Sequence, residues 1–139
     1  MKICFFKMGV IPNHLLDIAV ICTIYDNKWV FVKNKGRNGW EMPAGHREEN
    51  EDINDAASRE LCEETGAVKY FIKALCDYSV ISSEKTSHGR LFYGEIYEMG
   101  ELNDSEVEKI SFFIDKPLNL VFPEIQSALF KKATSMISP

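Results

Sequence analysis

The chain lacks the features that mark membrane, secreted and disulfide-stabilised proteins. No apolar run reaches the ~20 residues that a transmembrane helix needs, so no membrane partner is expected. The first residues lack the long apolar segment of a signal peptide. Only four cysteines are present and none forms a C-x-x-C pair, which argues against a disulfide framework or a zinc site. These absences predict a cytoplasmic protein with reduced cysteines.

What is present is an ordinary globular composition on a chain of 139 residues, with 45% hydrophobic and 27% charged residues. This length fits one domain, so residues 1–139 are expected to form a single folding unit. No internal repeat or low-complexity tract interrupts it.

Acidic residues are concentrated in one segment. From Glu41 to Glu64 there are nine acidic and two basic residues, whereas the rest of the chain holds 12 acidic and 14 basic residues. Crowded like charges are costly unless water or a cation neutralises them. This pattern excludes a generally basic nucleic-acid-binding protein and directs attention to the acidic segment.

The hydrophobic pattern predicts a mixed α/β chain with two helices. Residues 15–24 and 29–32 favour a hairpin, and residues 40–42 a short extended segment. Asp52 and Gly66 are typical of the start and end of a helix over residues 52–65. Further strands are predicted within 68–81, 91–97 and 110–114, and a second helix at 123–136. Polar loops are predicted at 44–51, 82–89 and 98–108.

Three glutamates share one face of the first predicted helix. Glu60, Glu63 and Glu64 lie at i, i+3 and i+4, beside the apolar stripe rather than opposite it. The stripe consists of Ile53, Ala57 and Leu61. Two interpretations are open: a solvated helix face, or partly desolvated carboxylates that hold Mg²⁺ or Mn²⁺.

Residues 45–67 resemble the Nudix box, G-x5-E-x7-R-E-U-x-E-E-x-G-U, where U is a bulky aliphatic residue. The residues in register are Gly45, Glu51, Arg59, Glu60, Leu61, Glu63, Glu64 and Gly66. Ala67 departs from the pattern, since a larger aliphatic residue is usual there. The preceding residues 40–45 are similar to the lead-in segment of the family.

The resemblance implies a Nudix fold, an α/β/α sandwich around a mixed β-sheet, and hydrolysis of a nucleoside diphosphate linked to another group. By the same analogy Glu60, Glu63 and Glu64 bind Mg²⁺, with Mn²⁺ as an alternative, and the main-chain carbonyl of Ala44 adds a ligand. Arg59 would pair with Glu51 and hold the loop against the helix. Gly45 and Gly66 would serve the backbone geometry.

The general base has more than one candidate. Glu60 is one, because it lies within the motif. In this family the base can also come from a distal loop, where Glu108 is the first choice and Glu106 the second. Each of these two glutamates is alternatively a metal ligand or a solvated loop residue.

Substrate contacts are predicted near the motif. Lys33, Lys35 and Arg37 form a basic run that can reach phosphates, or else a solvated hairpin face. Trp40 can stack on a base, or else pack in the core. Weaker candidates for substrate contact are Arg90, His46, His88, Phe5, Phe6 and Tyr78.

The small size resembles the MutT-like branch, which converts nucleoside triphosphates, oxidised forms included, to monophosphate and pyrophosphate. An RNA 5′-end pyrophosphohydrolase is the alternative, although the net charge of −5 disfavours long nucleic-acid contacts. A non-catalytic nucleotide-binding module is a further alternative. Family members are often homodimers, and no sequence feature marks an interface here.

Overall fold

The fold is a sheet with one long helix on each face. The computed structural model describes residues 1–104 and 106–137. Within them the strands and helices are β1 (Lys2–Lys7), β2 (Ile18–Tyr25), β3 (Lys28–Asn34), β4 (Ala44–His46), α1 (Ile53–Thr65), β5 (Ala67–Ile81), β6 (Thr86–Met99), β7 (Val107–Phe113) and α2 (Pro123–Ile137), with a 3₁₀ turn at Asn13–Leu15.

The sheet has the order β1-β5-β6-β2-β3-β7, and β4 joins it beside β2. One side of β2 pairs with β6 in parallel along its whole length. The other side pairs with β4 at Ile18–Val20 and with β3 at Thr23–Tyr25, both antiparallel. The neighbour of β2 therefore changes from β4 to β3 halfway along the strand.

Apolar side chains cover both faces of the sheet. On one face Ile53 and Leu61 of α1 pack with Ile21 and Phe92. On the other face a second cluster contains Phe31, Leu91, Leu129 and Ala133, the last two from α2. This arrangement confirms the expected α/β/α sandwich around a mixed sheet.

Local signals explain the ends of α1. The Asp52 side chain accepts a hydrogen bond from the Asn54 N–H at 2.8 Å and caps the first turn. Gly66 ends the helix with φ of +78°, and a Cβ there would lie 2.9 Å from the Glu101 carbonyl oxygen. Glycine alone fits this position without strain.

Some predicted boundaries were wrong. Residues 44–46 form β4, not loop, because their backbone pairs with β2. Strand β6 begins at Thr86, inside the predicted polar loop, because β5 and β6 close through a short turn that pairs Ile81 with Thr86. Strand β1 was not predicted at all.

The cysteine prediction agrees with the structure: all four are free thiols, and Cys22 and Cys76 are buried. No helix in the described part of the chain is long and apolar enough to span a bilayer.

Candidate active site

Arg59 joins the loop before α1 to the helix itself. Its Nε and Nη2 donate to the two carboxylate oxygens of Glu51 at 2.9 and 3.0 Å. Nη2 also donates to the His46 carbonyl oxygen at 2.9 Å. Hydrogen bonds from Arg59 and from the Glu48 N–H lower the pKa of Glu51 to about 2. The bidentate pair holds the acidic loop in one position against α1.

The same guanidinium contacts two glutamates of the helix. Arg59 Nη1 donates to Glu60 Oε1 at 2.7 Å and to Glu63 Oε2 at 3.3 Å. The Glu60 carboxylate packs directly on the Cα of Gly45, where a Cβ would overlap it. Burial raises the pKa of Glu60, although Arg59 opposes the shift. Gly45 is therefore the residue that leaves space for this carboxylate.

Glu64 links α1 to β4. Its Oε1 accepts a hydrogen bond from the Ala44 N–H at 2.9 Å, and the residue is only 8% exposed. Burial raises the pKa of Glu64 to about 8, and the nearby carboxylates of Glu60, Glu41 and Asp104 add to the increase. A positive charge next to Glu64 would therefore stabilise the ionised form of its carboxylate.

These groups line one cleft of about 470 Å³, together with residues of the β3–β4 connection and of the loop before β7. The basic side chains in its lining are Lys35, Arg37 and Arg59. The acidic ones are Glu41, Glu48, Glu60, Glu63, Glu64, Asp104 and Glu106. The cleft is strongly acidic, so an anion enters it only with compensating cations.

A family model described as NUDIX domain matches residues 15–115 of the chain. The chain belongs to the Nudix family. YtkD of Bacillus subtilis, to which 8-oxo-dGTP diphosphatase activity is attributed, is 31% identical over 128 residues, covering 91% of this chain and 78% of YtkD. Phosphatase NudJ of Escherichia coli K12 is 40% identical over 52 residues, covering 35% of this chain and 34% of NudJ.

Solved Nudix structures share the whole fold. The Bacillus subtilis pyrophosphohydrolase BsRppH matches with a TM-score of 0.81 at 23% identity, covering 96% of this chain and 90% of that one. The NUDIX domain of Shewanella oneidensis NrtR, complexed with ADP ribose, matches with a TM-score of 0.70 at 17% identity, covering 94% and 95%. Family membership makes this chain a hydrolase of phosphoric anhydride bonds.

The Nudix motif side chains are close together but do not form a closed metal cage. Nudix hydrolases generally use divalent cations. In residues 1–104 and 106–137, no group of three or more His, Cys, Asp or Glu side chains is arranged to enclose a metal ion. Arg59 engages one oxygen each of Glu60 and Glu63, and Ala44 engages one of Glu64. The donors are nevertheless carboxylate oxygens, the type that Mg²⁺ selects, and Mg²⁺ needs only one or two of them.

The distal loop brings Glu106, and not Glu108, to the Nudix cleft. Glu108 is exposed on β7 and is absent from the cleft lining. The cause is a register shift, because Lys33 pairs with Lys109 whereas Asn34 pairs with Val107, which leaves Glu108 as the extra residue of a β-bulge. The preference for Glu108 as base or ligand does not fit this geometry.

The predicted substrate contacts divide into two groups. Lys35 and Arg37 line the cleft, but Lys33 does not. Lys33 pairs with Lys109 in the sheet. Trp40 also lies outside the cleft lining. Its ring packs edge-on against Phe113 with the centroids 5.2 Å apart, so it belongs to the core on the α2 face.

The weaker candidates also separate. His46 lines the cleft. Arg90 is held away from it by the buried Asp77, with Nε 2.6 Å from Oδ1. His88 Nδ1 lies 2.6 Å from the Ser79 hydroxyl, also away from the cleft. Phe5 and Phe6 line a separate groove beside α2.

The sequence interpretation missed a polar group on the cleft wall. Glu41 is 6% exposed and accepts from Arg37 Nη1 at 2.7 Å and from Asn34 Nδ2 at 3.1 Å. The Asn34 Oδ1 is buried without a hydrogen-bond partner in the described part of the chain. Glu41 lies within residues 40–45, the segment that is similar to the lead-in segment of the family, and this position was the available sequence signal.

A second, mainly apolar cavity of about 380 Å³ adjoins the cleft. The two share the residues Ile18, Arg37, Glu41, Ala44 and His46. Its other walls include Tyr78, Val80, Ile125, Leu129 and, at the start of α2, Phe122. We call this space the apolar cavity. The apolar cavity continues from the charged cleft, and its apolar walls are suited to a flat, weakly polar group.

Proposed function

We propose that the chain hydrolyses a nucleoside triphosphate to monophosphate and pyrophosphate with Mg²⁺ as cofactor. The main support for this proposal is the charge of the cleft, which has a volume of about 470 Å³ and is lined by seven acidic and three basic side chains. A triphosphate is itself a polyanion, so it binds there only when cations accompany it. The activity attributed to YtkD supports a nucleoside triphosphate as substrate.

Glu60, Glu63 and Glu64 are the residues proposed to hold the cation, and the Ala44 carbonyl adds a fourth oxygen. Mn²⁺ has similar ligand preferences and is an alternative. A bound divalent cation neutralises phosphate oxygens and lowers the pKa of water. The Ala44 N–H bond to Glu64 keeps β4 and α1 at a fixed separation, which the ligand set requires.

The other cleft residues have distinct proposed roles. Lys35 and Arg37 contact phosphate oxygens, since both line the cleft. Arg59 is a positioning residue that fixes the motif loop through Glu51. Glu60 and Glu106 are the two candidates for accepting a proton from the attacking water, because both line the cleft and burial raises the pKa of Glu60.

The apolar cavity is proposed to take the base. It opens on the cleft through shared residues, so a nucleotide can place its base there and its phosphates among the glutamates. At about 380 Å³ it falls within the range of small-molecule sites, about 300–1,000 Å³.

The 5′ end of an RNA is the second candidate substrate. Its support is a pair of lysines that lie directly opposite each other on β3 and β7, Lys33 and Lys109. Lys33 directly precedes the cleft residues Asn34 and Lys35 in the sequence. Like charges at this spacing repel, and a phosphate backbone would relieve the repulsion. RNA nucleotides downstream of the 5′ end would lie along this edge.

A substrate panel tests the proposal. Purified protein with Mg²⁺ is assayed against common and 8-oxo nucleoside triphosphates, ADP-ribose and a short 5′-triphosphate RNA, and products are resolved as phosphate, pyrophosphate and nucleotide. Pyrophosphate release is expected, with loss of at least ~10²-fold in Glu63→Gln. The matched control is Glu98→Gln, since Glu98 is exposed and forms an ion pair with Lys69, 3.7 Å away, far along the chain from the motif. Full activity in Glu63→Gln would overturn the ligand assignment.

A further inference from the structure

An asparagine outside the motif contacts the motif loop on both sides of the α1 N-cap. Asn13 is exposed and opens the 3₁₀ turn before β2. Its Nδ2 donates to the Glu51 carbonyl oxygen at 3.1 Å, and its Oδ1 accepts from the Ile53 N–H at 2.7 Å. A backbone carbonyl only accepts and a backbone N–H only donates, so the amide has a fixed orientation. One side chain therefore holds the two residues that flank Asp52.

The 3₁₀ turn is itself anchored to the sheet and to the motif loop. The fully buried carboxylate of Asp77 on β5 accepts hydrogen bonds from the N–H groups of Gly9 and Ile11, just before the turn, at 3.0 Å each. Arg47, which directly follows β4, donates from Nε to the Leu16 carbonyl oxygen at 2.9 Å. The turn is thus a fixed support for the asparagine that it presents.

Glu51 connects Asn13 to the glutamates of the helix. Its carboxylate accepts hydrogen bonds from Nε and Nη2 of Arg59, whose Nη1 contacts Glu60 and Glu63. The Asn13 amide holds the backbone from which the Glu51 carboxylate projects. Catalytic constellations must be held to within about 0.5 Å by side chains that do not themselves react.

We propose that Asn13 is a positioning residue for hydrolysis, because it fixes the motif loop against α1. This inference rests on the proposed function. Asn13 is not among the described residues that line the cleft, so its effect passes through Glu51 and Arg59. Loss of a side chain that orients metal ligands typically lowers activity about 10–100-fold. The proposed phosphate contacts Lys35 and Arg37 belong to the β3–β4 connection, so kcat should fall with little change in KM.

Two substitutions separate this role from helix capping. Asn13→Ala removes both contacts. Asn13→Asp keeps an oxygen for the Ile53 N–H and adds a negative charge at the start of α1, which stabilises a helix, but it loses the donor to Glu51. We expect kcat to fall about tenfold or more in both variants. The urea midpoint of Asn13→Asp should match the wild type. A merely structural role predicts normal kcat in Asn13→Asp, and that result would overturn the proposal.

His14→Ala is the matched control. His14 is the exposed neighbour of Asn13, and the substitution keeps the His14 carbonyl oxygen that accepts from Arg47. Its kcat should equal that of the wild type. A tenfold loss in His14→Ala as well would show that any change in the 3₁₀ turn disturbs the site, and would overturn the specific role of Asn13.

Nuclear magnetic resonance of the protein without substrate separates this inference from the proposed function. The Arg59 Nε–H, which donates to Glu51, should exchange with water about tenfold faster in both Asn13 variants than in the wild type. Faster exchange without hydrolysis of any triphosphate would refute the proposed substrate and support the role of Asn13. Unchanged exchange, or hydrolysis with unchanged kcat in the folded variants, would overturn the role of Asn13 alone. If Asn13→Ala does not fold, as judged by circular dichroism, Asn13→Asp decides the question.

Discussion

Replacing Gly45 by alanine is expected to remove most activity while the chain stays folded. The new methyl group would overlap the Glu60 carboxylate, which now packs on the Gly45 Cα. Carbon atoms pack at about 3.5–4.0 Å, so the carboxylate must move by more than about 1 Å. A misplacement of that size in an active site can lower the rate about 10²-fold. Overpacking alone costs about 1–3 kcal/mol of folding free energy.

The assay is kcat for pyrophosphate release, measured beside urea unfolding. Gly94→Ala is the matched control, because a Cβ there would lie 2.9 Å from the Ile21 Cγ2, in the core and away from the glutamates. It should lose a similar amount of stability and keep its kcat. The double variant Gly45→Ala/Glu60→Gln should lose no more kcat than Glu60→Gln alone, since both substitutions act through the Glu60 carboxylate. Full activity in Gly45→Ala, or additive losses in the double variant, would refute the reasoning.

Two further outcomes concern stability. Asp77→Asn should lower the free energy of unfolding by about 3–5 kcal/mol, because it leaves the buried Arg90 without its counter-charge. It also weakens the hydrogen bonds that Asp77 accepts from the Gly9 and Ile11 N–H groups. The measurement is a urea titration, and an unchanged unfolding midpoint would contradict this prediction. Since the pKa of Glu51 in the folded chain is lowered to about 2 from an ordinary 4.5, its stabilising effect is complete above pH 4.5 and is lost as the pH falls toward 2. The unfolding midpoint should therefore depend less on pH in this window in Glu51→Gln, and equal slopes would count against the pair.

Features set by neighbouring residues were predictable, and features set by distant pairing were not. Asp52 and Gly66 fix the ends of α1 locally, and the motif spacing places its glutamates on one helix face. Glu108 depends instead on a bulge between β3 and β7, and Trp40 on packing against Phe113. No local sequence pattern indicates the β-bulge at Glu108 or the contact between Trp40 and Phe113. The position of Tyr78 on the wall of the apolar cavity likewise depends on the placement of α2.

The change of neighbour along β2 has a consequence for how the protein acquires activity. Strands β2 and β3 can meet early, because a two-residue turn joins them. The parallel partner β6 arrives from far along the chain, as in the pairing of Ile18 with Gly89, and contacts of this kind form slowly. The first half of β2 also needs β4, which is tied to α1 through Ala44 and Glu64. Catalytic activity should therefore return with the slowest phase of refolding, after most secondary structure has formed.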